Sequence, residues 1–363
     1  CGIVGAAAQR NVTGILLEGL KRLEYRGYDS AGVAVLDTKN NICLQKNAGK
    51  VAALEQGLAA NPLQGHLGIA HTRWATHGSP NDANSHPHRS AHIAVVHNGI
   101  IENHDALRKE LQAAGYVFIS DTDTEVVAHL VNFYSRDAST LLKAVQQTIT
   151  RLEGAYALAV MSAEQPATLI GARKGSPLVL GVGIEENFLA SDPLALRQVT
   201  DRFVFLGEGD MVELSAGHFQ ISDIEGQAVE RDVVRIDHGA DQNDKDGFRH
   251  YMLKEIYQQP DVLADTLQGR ISDKHVLPEA FGSDAVEILK QVECVHIIAC
   301  GTSYHAGMVA RYWLESWAGI PCQVEVASEY RYRKVVVPAN TLFLSISQSG
   351  ETADTLAALQ AAE

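Results

Sequence analysis

The chain begins with CGIVGAAA, residues 1–8, and this stretch decides how the first domain is interpreted. Its small and apolar side chains, followed by polar residues from Gln9 onward, are typical of a buried β-strand. Cysteine at the head of such a strand carries a thiol nucleophile and an α-amine on one residue. Because the ordinary pKa of an α-amine is about 7.7 to 8.0, this amine can accept the thiol proton near neutral pH. We therefore predict that Cys1 is a nucleophile that needs no partner histidine.

A first residue of Cys rather than Met indicates a processed chain, and a bacterial lipoprotein is one alternative. The acylated cysteine of a lipoprotein is followed by a flexible polar tether, whereas Cys1 is followed directly by an apolar strand. The sequence contains no run that approaches the roughly 18 apolar residues of a membrane span. A membrane-anchored chain is therefore disfavoured.

The length, the charge and the cysteine content of the chain exclude several classes of function. The 363 residues are 46% hydrophobic and 20% charged, which predicts about two globular domains. The 44 acidic residues outnumber the 30 basic ones, the net charge is -14 and no Lys/Arg cluster is present. Neither nucleic acid nor an anionic membrane is therefore expected as a partner. The five cysteines form no CxxC pair, which predicts a reducing compartment, the cytoplasm.

Two patterns of secondary structure are separated by a polar segment. Residues 1–236 alternate short apolar strands with turns and a few helices, which predicts an α+β domain of two packed sheets flanked by helices. Residues 237–247, DHGADQNDKDG, have no periodicity and are predicted to be a linker. Residues 248–363 alternate helices with single apolar strands, which predicts an α/β doubly wound parallel sheet. Only three strands are visible there, so this domain is predicted to be incomplete.

The segment VVHNG, residues 95–99, ends a predicted strand with groups that suit a developing oxyanion. Attack of a thiolate on a carbonyl places negative charge on oxygen, and the Asn98 amide and the Gly99 N–H are donors of the type that stabilises it. The alternative is that Asn98-Gly99 forms a two-residue hairpin turn, for which this dipeptide is strongly preferred. The oxyanion interpretation depends on the presence of Cys1.

Two further segments carry charged side chains suited to an amino acid substrate. HTRWATHG, residues 71–78, presents Arg73, which can bind a carboxylate through two parallel hydrogen bonds or can simply be solvated. In the segment DTDTE, Asp123 can hold an ammonium group. Thr122 and Glu125 also match a capping box, in which Asp123 is a favoured first-turn acid, and the two interpretations are compatible.

Histidine is concentrated in one short region, so a metallohydrolase is an alternative class. The region contains neither a His-Glu-x-x-His helix nor a carboxylate pair that would complete a metal site. We therefore predict no metal and no cofactor. The histidines concerned are His66, His71, His77, His86, His88, His92, His97 and His104.

Two loops in the second half share one pattern. ACGTS, residues 299–303, and SQSGET, residues 347–352, each lie where a predicted strand ends and a helix begins. Hydroxyls and backbone N–H groups at a helix N-terminus suit a phosphate dianion without a lysine. The alternative is ordinary helix capping by Ser and Thr. The presence of two parallel loops favours the phosphate interpretation.

Five motifs together resemble the class II glutamine amidotransferases, whose N-terminal nucleophile is cysteine. They are CGIVG at residues 1–5, RGYDSAG at 26–32, HTRWATHG at 71–78, HNGIIEN at 97–103 and DTDTE at 121–125. The similarity continues past the predicted linker through ACGTS and SQSGET, so it covers essentially the whole chain. The second half is similar to the sugar isomerase domains that some members of the family carry.

For the first half, the resemblance implies a four-layer α/β/β/α N-terminal-nucleophile domain that hydrolyses L-glutamine. Cys1 is implied as the attacking thiol, with Asn98 and Gly99 as the oxyanion donors. Trp74 is similar to the residue that gates the family's ammonia channel, where a dry path keeps ammonia from being protonated by bulk water. The residues implied to bind the carboxylate and ammonium groups of glutamine are Arg73, Thr76, His77 and Asp123.

For the second half, the resemblance implies a sugar isomerase domain that receives the ammonia on fructose 6-phosphate and yields glucosamine 6-phosphate. The family continues with a second isomerase domain beyond Glu363, so this chain is expected to retain only the glutaminase activity, and the complete enzyme is expected to be a homodimer. A non-catalytic sugar-phosphate sensor is the alternative from a different class. The residues implied to bind the sugar phosphate are Thr302, Ser303, Ser347, Gln348, Ser349 and Thr352.

Overall fold

The computed structural model describes residues 1–24, 27–74, 78–236, 248–272, 275–282, 284–347 and 353–362. The chain divides into two compact units, residues 1–283 and residues 284–363. The predicted linker, residues 237–247, lies outside the described residues. The boundaries of the predicted domains on either side of it therefore stay a prediction.

The first unit is built mainly from two antiparallel sheets and the helices that cover them. Short strands joined by tight connections dominate it, as the frequent turn residues of the sequence indicate. In chain order its described elements are β1 Gly2–Ala8, α1 Thr13–Leu23, β2 Ser30–Leu36, β3 Ile42–Ala48, α2 Val51–Ala60, β4 Leu67–Arg73, β5 His88–Ser90, β6 Ile93–Ile101, α3 His104–Ala113, α4 Thr124–Ser135, α5 Leu141–Ile149, β7 Gly154–Ser162, β8 Leu169–Lys174, β9 Val179–Val182, β10 Glu186–Ala190, β11 Arg202–Phe205, β12 Met211–Leu214, β13 Phe219–Ser222, β14 Val233–Arg235 and α6 Tyr251–Leu267.

The sheets and helices of this unit form four layers. The larger sheet has the order β14-β11-β9-β10-β1-β4-β2-β3, and the smaller sheet has the order β13-β12-β8-β7-β6-β5. Apolar side chains from both sheets, such as Ile3 and Val96, pack together between them. The outer face of the larger sheet packs on α1 and α2, and that of the smaller sheet packs on α3, α4 and α5. The α/β/β/α architecture predicted for the first half is confirmed.

The first strand lies inside the larger sheet and is buried along its whole length. Small and apolar side chains are needed on both faces of such a strand, because each face meets another layer. β1 pairs antiparallel with β10 and β4, and the register with β4 places Gly2 opposite Thr72. Cys1, which precedes β1, is therefore brought to the end of β4.

The second unit is a small parallel sheet with helices. β15 lies between its two neighbours in the order β16-β15-β17. The chain therefore adds one strand on one side of β15 and the next strand on the other side, which is the doubly wound arrangement. The predicted parallel sheet is confirmed. The described elements are α7 Ala285–Gln291, β15 Cys294–Ala299, α8 Gly301–Trp313, β16 Cys322–Val326, α9 Ala327–Tyr330, β17 Thr341–Ile346 and α10 Ala353–Ala362.

None of the helices in the described part of the chain combines the length and the apolar character that crossing a membrane requires.

Candidate active site

The sulfur of Cys1 lies against the backbone of Trp74. The pairing of β1 with β4 brings the two residues together. The Trp74 N–H donates to Cys1 Sγ at 3.2 Å, and the thiol lies 3.5 Å from the Trp74 carbonyl oxygen, to which it can donate. Cys1 is only partly buried. The sulfur is therefore held by backbone groups while one side of it stays accessible.

A cavity of about 1010 Å³ opens beside this sulfur. Four residues with predicted roles line it, namely Cys1, Trp74, Asn98 and Gly99. A sulfur far from the two candidate oxyanion donors, or a sulfur with no cavity beside it, would contradict the predicted nucleophile. The fold instead brings the thiol and both donors to one cavity.

Asn98 and Gly99 lie within β6, where they pair with residues of β7. The expectation that the strand ends at these residues is wrong, and so is the alternative of a hairpin turn. The physical reason is that buried apolar residues follow Gly99 and continue the strand to Ile101. Gly99 has a φ of +125°, and a Cβ there would overlap the Ala155 carbonyl oxygen. Only glycine fits this close approach to β7.

The Asn98 side chain is held by a histidine of the neighbouring sheet. His71, on β4, has its Nε2 atom 2.9 Å from Asn98 Oδ1, and both side chains are buried. Burial lowers the pKa of His71 well below its ordinary value, and the nearby positive α-amine lowers that pKa further. His71 is therefore neutral near pH 7. It carries no site prediction from the sequence, although its spacing of two from Arg73 places both on one face of β4.

Arg73 and Asp123 are buried charges, with 3% and 4% of their surfaces exposed. The Arg73 guanidinium donates from Nη2 to the Gly78 carbonyl oxygen at 3.2 Å. Burial lowers the pKa of Arg73, while the negative charges of Asp123 and Asp29 oppose that shift. Asp123 Oδ2 accepts a hydrogen bond from the Ile101 N–H at 2.9 Å. The described walls of the cavity include neither residue, so the binding roles of Arg73 and Asp123 stay predictions.

The capping box predicted around Asp123 forms only in part. Helix α4 begins one residue after Asp123, so Asp123 occupies the N-cap position. Thr122 Oγ1 accepts a hydrogen bond from the Glu125 N–H at 3.4 Å. The Glu125 carboxylate does not return to the Thr122 backbone, because it accepts from the N–H groups of Ile119 and Ser120 instead. The prediction of a reciprocal box is therefore wrong.

The indole of Trp74 forms part of the cavity wall, which is the position that a gating residue requires. It is 40% exposed, lines the cavity and packs edge-on against Tyr28 with ring centroids 5.6 Å apart. Its predicted role as a channel gate stays a prediction. Thr76 and His77, predicted to bind the glutamine carboxylate, lie outside the described residues.

Several of the described histidines in the histidine-rich region contact a hydroxyl, another histidine or a single carboxylate. His71 and His86 stack with ring centroids 4.2 Å apart. His88 Nε2 lies 3.0 Å from Thr122 Oγ1. Within the described ranges, no group of three or more His, Cys, Asp or Glu side chains is arranged to hold a metal ion.

The described members of the predicted phosphate-binding set gather at one edge of the parallel sheet. Ala299 and Ile346, the last residues of β15 and β17, are paired. Thr302 and Ser303 lie in the first turn of α8, and Ser347 directly follows β17. Doubly wound sheets bind ligands at the carboxyl ends of the strands where the strand order reverses. Outside the described residues lie Gln348, Ser349 and Thr352.

Two family models match the chain. A glutamine amidotransferase domain matches residues 71–198, and an SIS domain matches residues 288–363. Among solved structures, the glutamine phosphoribosylpyrophosphate amidotransferase from B. subtilis is similar with a TM-score of 0.56 and 22% sequence identity. The match covers 93% of this chain and 69% of that chain. At this identity the likeness bears on the fold alone.

Curated relatives from two pseudomonads match along the whole chain. The glutamine–fructose-6-phosphate aminotransferase (isomerizing) of Pseudomonas syringae pv. tomato is 62% identical over 364 residues, which cover 100% of this chain and 60% of the relative. The protein of the same name from Pseudomonas putida is 60% identical with the same coverage. The chain therefore spans about 60% of the length of the curated relatives it matches.

The first unit has the four-layer fold, one cavity lined by Cys1 and the two candidate oxyanion donors, and the matched domain. Together these features define its class, which is that of the glutamine amidotransferases. The SIS domain in the second half and the identity to the relatives narrow this class. Over its whole length the chain is similar to the glutamine–fructose-6-phosphate aminotransferases, with 60 to 62% sequence identity.

Proposed function

We propose that this chain hydrolyses L-glutamine to L-glutamate and ammonia, with Cys1 as the nucleophile. The observation that carries the proposal is the single cavity shared by Cys1, Asn98 and Gly99. Thiol-dependent amide hydrolysis needs a nucleophile, donors for the oxyanion and space for the substrate in one place.

The first step is transfer of the Cys1 thiol proton to the α-amine of the same residue. The thiolate attacks the side-chain amide carbon of glutamine, so a C–S bond forms while the carbonyl π electrons move to oxygen. The α-ammonium then gives its proton to the leaving nitrogen, the C–N bond breaks and ammonia departs. Water hydrolyses the thioester, which yields glutamate and restores the thiol.

The tetrahedral intermediate carries a negative oxygen that needs preorganised donors. The Asn98 amide and the Gly99 N–H are proposed to donate to it, and both residues are held in a strand rather than in a mobile loop. A donor that is already oriented costs no reorganisation when charge develops, and removing one typically lowers kcat by about 10²- to 10³-fold.

The ends of the substrate are proposed to bind buried charges. Arg73 would bind the carboxylate with Thr76 and His77, and Asp123 would bind the ammonium group. The support is that Arg73 and Asp123 are both buried, and that they lie close enough for the negative charge of Asp123 to oppose the lowering of the Arg73 pKa by burial. Trp74 is proposed to gate the exit of ammonia, because its partly exposed indole lines the cavity.

In the whole protein, ammonia is proposed to pass to fructose 6-phosphate, which yields glucosamine 6-phosphate. The names of the curated relatives specify glutamine and fructose 6-phosphate, and the chain spans about 60% of their length. This chain by itself is proposed to retain the glutaminase half of the reaction. The residues proposed to bind the sugar phosphate are Thr302, Ser303, Ser347, Gln348, Ser349 and Thr352.

The proposed setting follows from the chemistry of the thiol. Cys43, Cys294, Cys300 and Cys322 carry free thiols, which suits the cytoplasm, where thiols stay reduced. The proposed steps use a thiol, an amine, an amide and a backbone N–H, so no cofactor is included. A homodimer is proposed for the complete enzyme.

The test is release of ammonia from L-glutamine by the chain with an unblocked Cys1 amine. Cys1→Ala and a version that keeps Met before Cys1 should each be slower by about 10³-fold or more, because they lack the nucleophile or its base. Cys43→Ala, which alters a half-buried thiol on β3, is the matched control and should keep full activity. Equal activity in all versions would contradict the proposal. Binding of fructose 6-phosphate without any ammonia release would favour a sugar-phosphate sensor.

A further inference from the structure

We propose that His71 is a positioning residue for glutamine hydrolysis, because its Nε2–H fixes the Asn98 amide with the Nδ2 group toward the substrate. The inference rests on the proposed function, in which Asn98 is an oxyanion donor. The proposal gives a residue of β4 a role in the rate of hydrolysis. His71 would act through Asn98 and would not touch the substrate.

The orientation of the Asn98 amide decides whether this side chain stabilises or destabilises the negative oxygen of the tetrahedral intermediate. An asparagine side chain has a donor end and an acceptor end, and only the NH₂ end stabilises a negative oxygen. Rotation of the amide by half a turn would direct Oδ1 at the developing charge. A donor that holds Oδ1 prevents this rotation, and His71 Nε2 lies 2.9 Å from that atom.

The surroundings of His71 leave one proton on the ring and favour Nε2 as its position. The ring is buried, and the α-amine of Cys1 lies close enough to disfavour a second positive charge. His71 Nδ1 is buried and has no hydrogen-bond partner within the described part of the chain. A proton on Nδ1 would be an orphaned buried donor, which is rare in folded proteins. The neutral Nε2–H tautomer avoids it and makes Asn98 Oδ1 the acceptor.

Packing also restricts the plane of the His71 ring. His86 stacks on it with ring centroids 4.2 Å apart and an interplanar angle of 29°. Gly32 of β2 lies opposite His71 in the sheet, and a Cβ on Gly32 would overlap the His86 carbonyl oxygen. The glycine therefore allows the His86 segment to approach the sheet closely enough for stacking.

The first experiment compares two substitutions in the glutaminase assay of the full chain. His71→Phe keeps a planar ring but removes the donor, and we expect kcat to fall about 10- to 100-fold with KM changed less than about threefold. In His71→Gln the side-chain Nε2 can replace the imidazole donor, so most of kcat should return. A residue needed only for folding would show no such rescue, and the melting temperature of each variant is measured alongside.

The second experiment is a double-mutant cycle with Asn98→Ala. Because His71 acts through Asn98, His71→Phe should change kcat by less than about twofold once the amide is absent. The matched control is His129→Gln, which alters another buried histidine whose Nδ1 lies 2.8 Å from Ser90 Oγ. This control should keep kcat within about twofold in both backgrounds.

A measurement independent of activity is ¹⁵N NMR of the imidazole nitrogens at pH 7, which should show His71 as the neutral Nε2–H tautomer. The inference is overturned by a Nδ1–H tautomer, by full kcat in His71→Phe, or by an equal loss in both Asn98 backgrounds. An unsubstituted chain without glutaminase activity would instead contradict the proposed function, and the tautomer would still be measurable.

Discussion

The two units cover their sheets to different extents. In the first unit every residue of β1 is buried, and side chains such as Leu20 and Phe188 are completely enclosed between layers. In the second unit every residue of β15 after Cys294 is buried, but no residue of β17 is fully buried. The buried apolar clusters among the described residues of the second unit are Ile298 with Ala327, Tyr330 and Ala358, and Val295 with Ile297 and Cys322.

Because the two sheets are covered to different extents, the two candidate sites differ in how firmly the surrounding core holds their residues. The groups around Cys1 come from strands whose positions are determined by packing on both faces, so their geometry is supported by a large core. Thr302 and Ser347 lie at the edge of a sheet that buries much less apolar surface within its own unit. Because burial is the dominant stabilising contribution, we expect the proposed glutaminase site to be preorganised to a greater degree in this chain than the proposed sugar-phosphate site.

The largest expected effect tests whether glutamine hydrolysis depends on the residues around Cys1 and not on those of the second unit. Asn98→Ala should lower kcat for glutamine hydrolysis by about 10²- to 10³-fold, because one of the two proposed oxyanion donors is lost. Thr302→Ala, in the second unit, should leave that kcat within about twofold. Ammonia release at saturating glutamine measures both variants. An equal loss in the two variants would show that glutamine hydrolysis depends on both sites.

The next largest expected effect compares the hydrophobic cores of the two units by truncating one leucine in each. Leu20→Ala removes a fully buried leucine of α1 and should lower the free energy of unfolding by about 3 kcal/mol. Leu344→Ala removes a leucine of β17 that is 40% exposed and should cost less than about 1 kcal/mol. Hydrogen exchange, followed in peptides of each unit during denaturant unfolding, measures the two losses separately. Comparable losses would mean that the second unit is covered more fully than its exposed strand indicates.

The smallest expected effect is on how the free energy of unfolding depends on pH. Burial raises the pKa of Glu125, but contacts with His129 and with the backbone of the preceding loop outweigh burial and lower the pKa to about 2. Ionised Glu125 therefore stabilises the fold above its ordinary pKa of 4.5, and this contribution is lost as the pH falls toward 2. Glu125→Gln should lower the free energy of unfolding by about 2 kcal/mol at pH 7, and the difference should shrink below pH 4.

A carboxylate of the second unit supplies the comparison for this pH dependence. Hydrogen bonds from Arg333 lower the pKa of Glu325, and burial opposes them only in part. Both side chains reach solvent, so water screens the interaction and Glu325→Gln should have a smaller effect than Glu125→Gln. Chemical denaturation of both variants between pH 3 and pH 7 measures the two effects. A larger dependence for Glu325→Gln would contradict the expected order.

Much of the fold follows from local patterns and motifs, whereas the details of the site do not. The alternating and apolar runs predict the strands, including β1, and the parallel sheet of the second unit, because periodicity reflects which faces are buried. The same local reasoning failed at Asn98-Gly99, where a dipeptide typical of turns lies inside β6. It also failed at Glu125, whose carboxylate found donors at Ile119 and Ser120 rather than in the predicted capping box.

The amino-acid sequence by itself determined the chemical inventory of this protein: the thiol of Cys1, the amide of Asn98 beside Gly99, and hydroxyls at two predicted helix starts. Only the tertiary structure decided which of these groups meet. Cys1 reaches Trp74 across 73 residues, and His71 reaches Asn98 across 27, through the pairing and stacking of strands. The physical reason is that such contacts depend on sheet register and on the packing of two sheets, which are long-range properties that a local pattern does not encode.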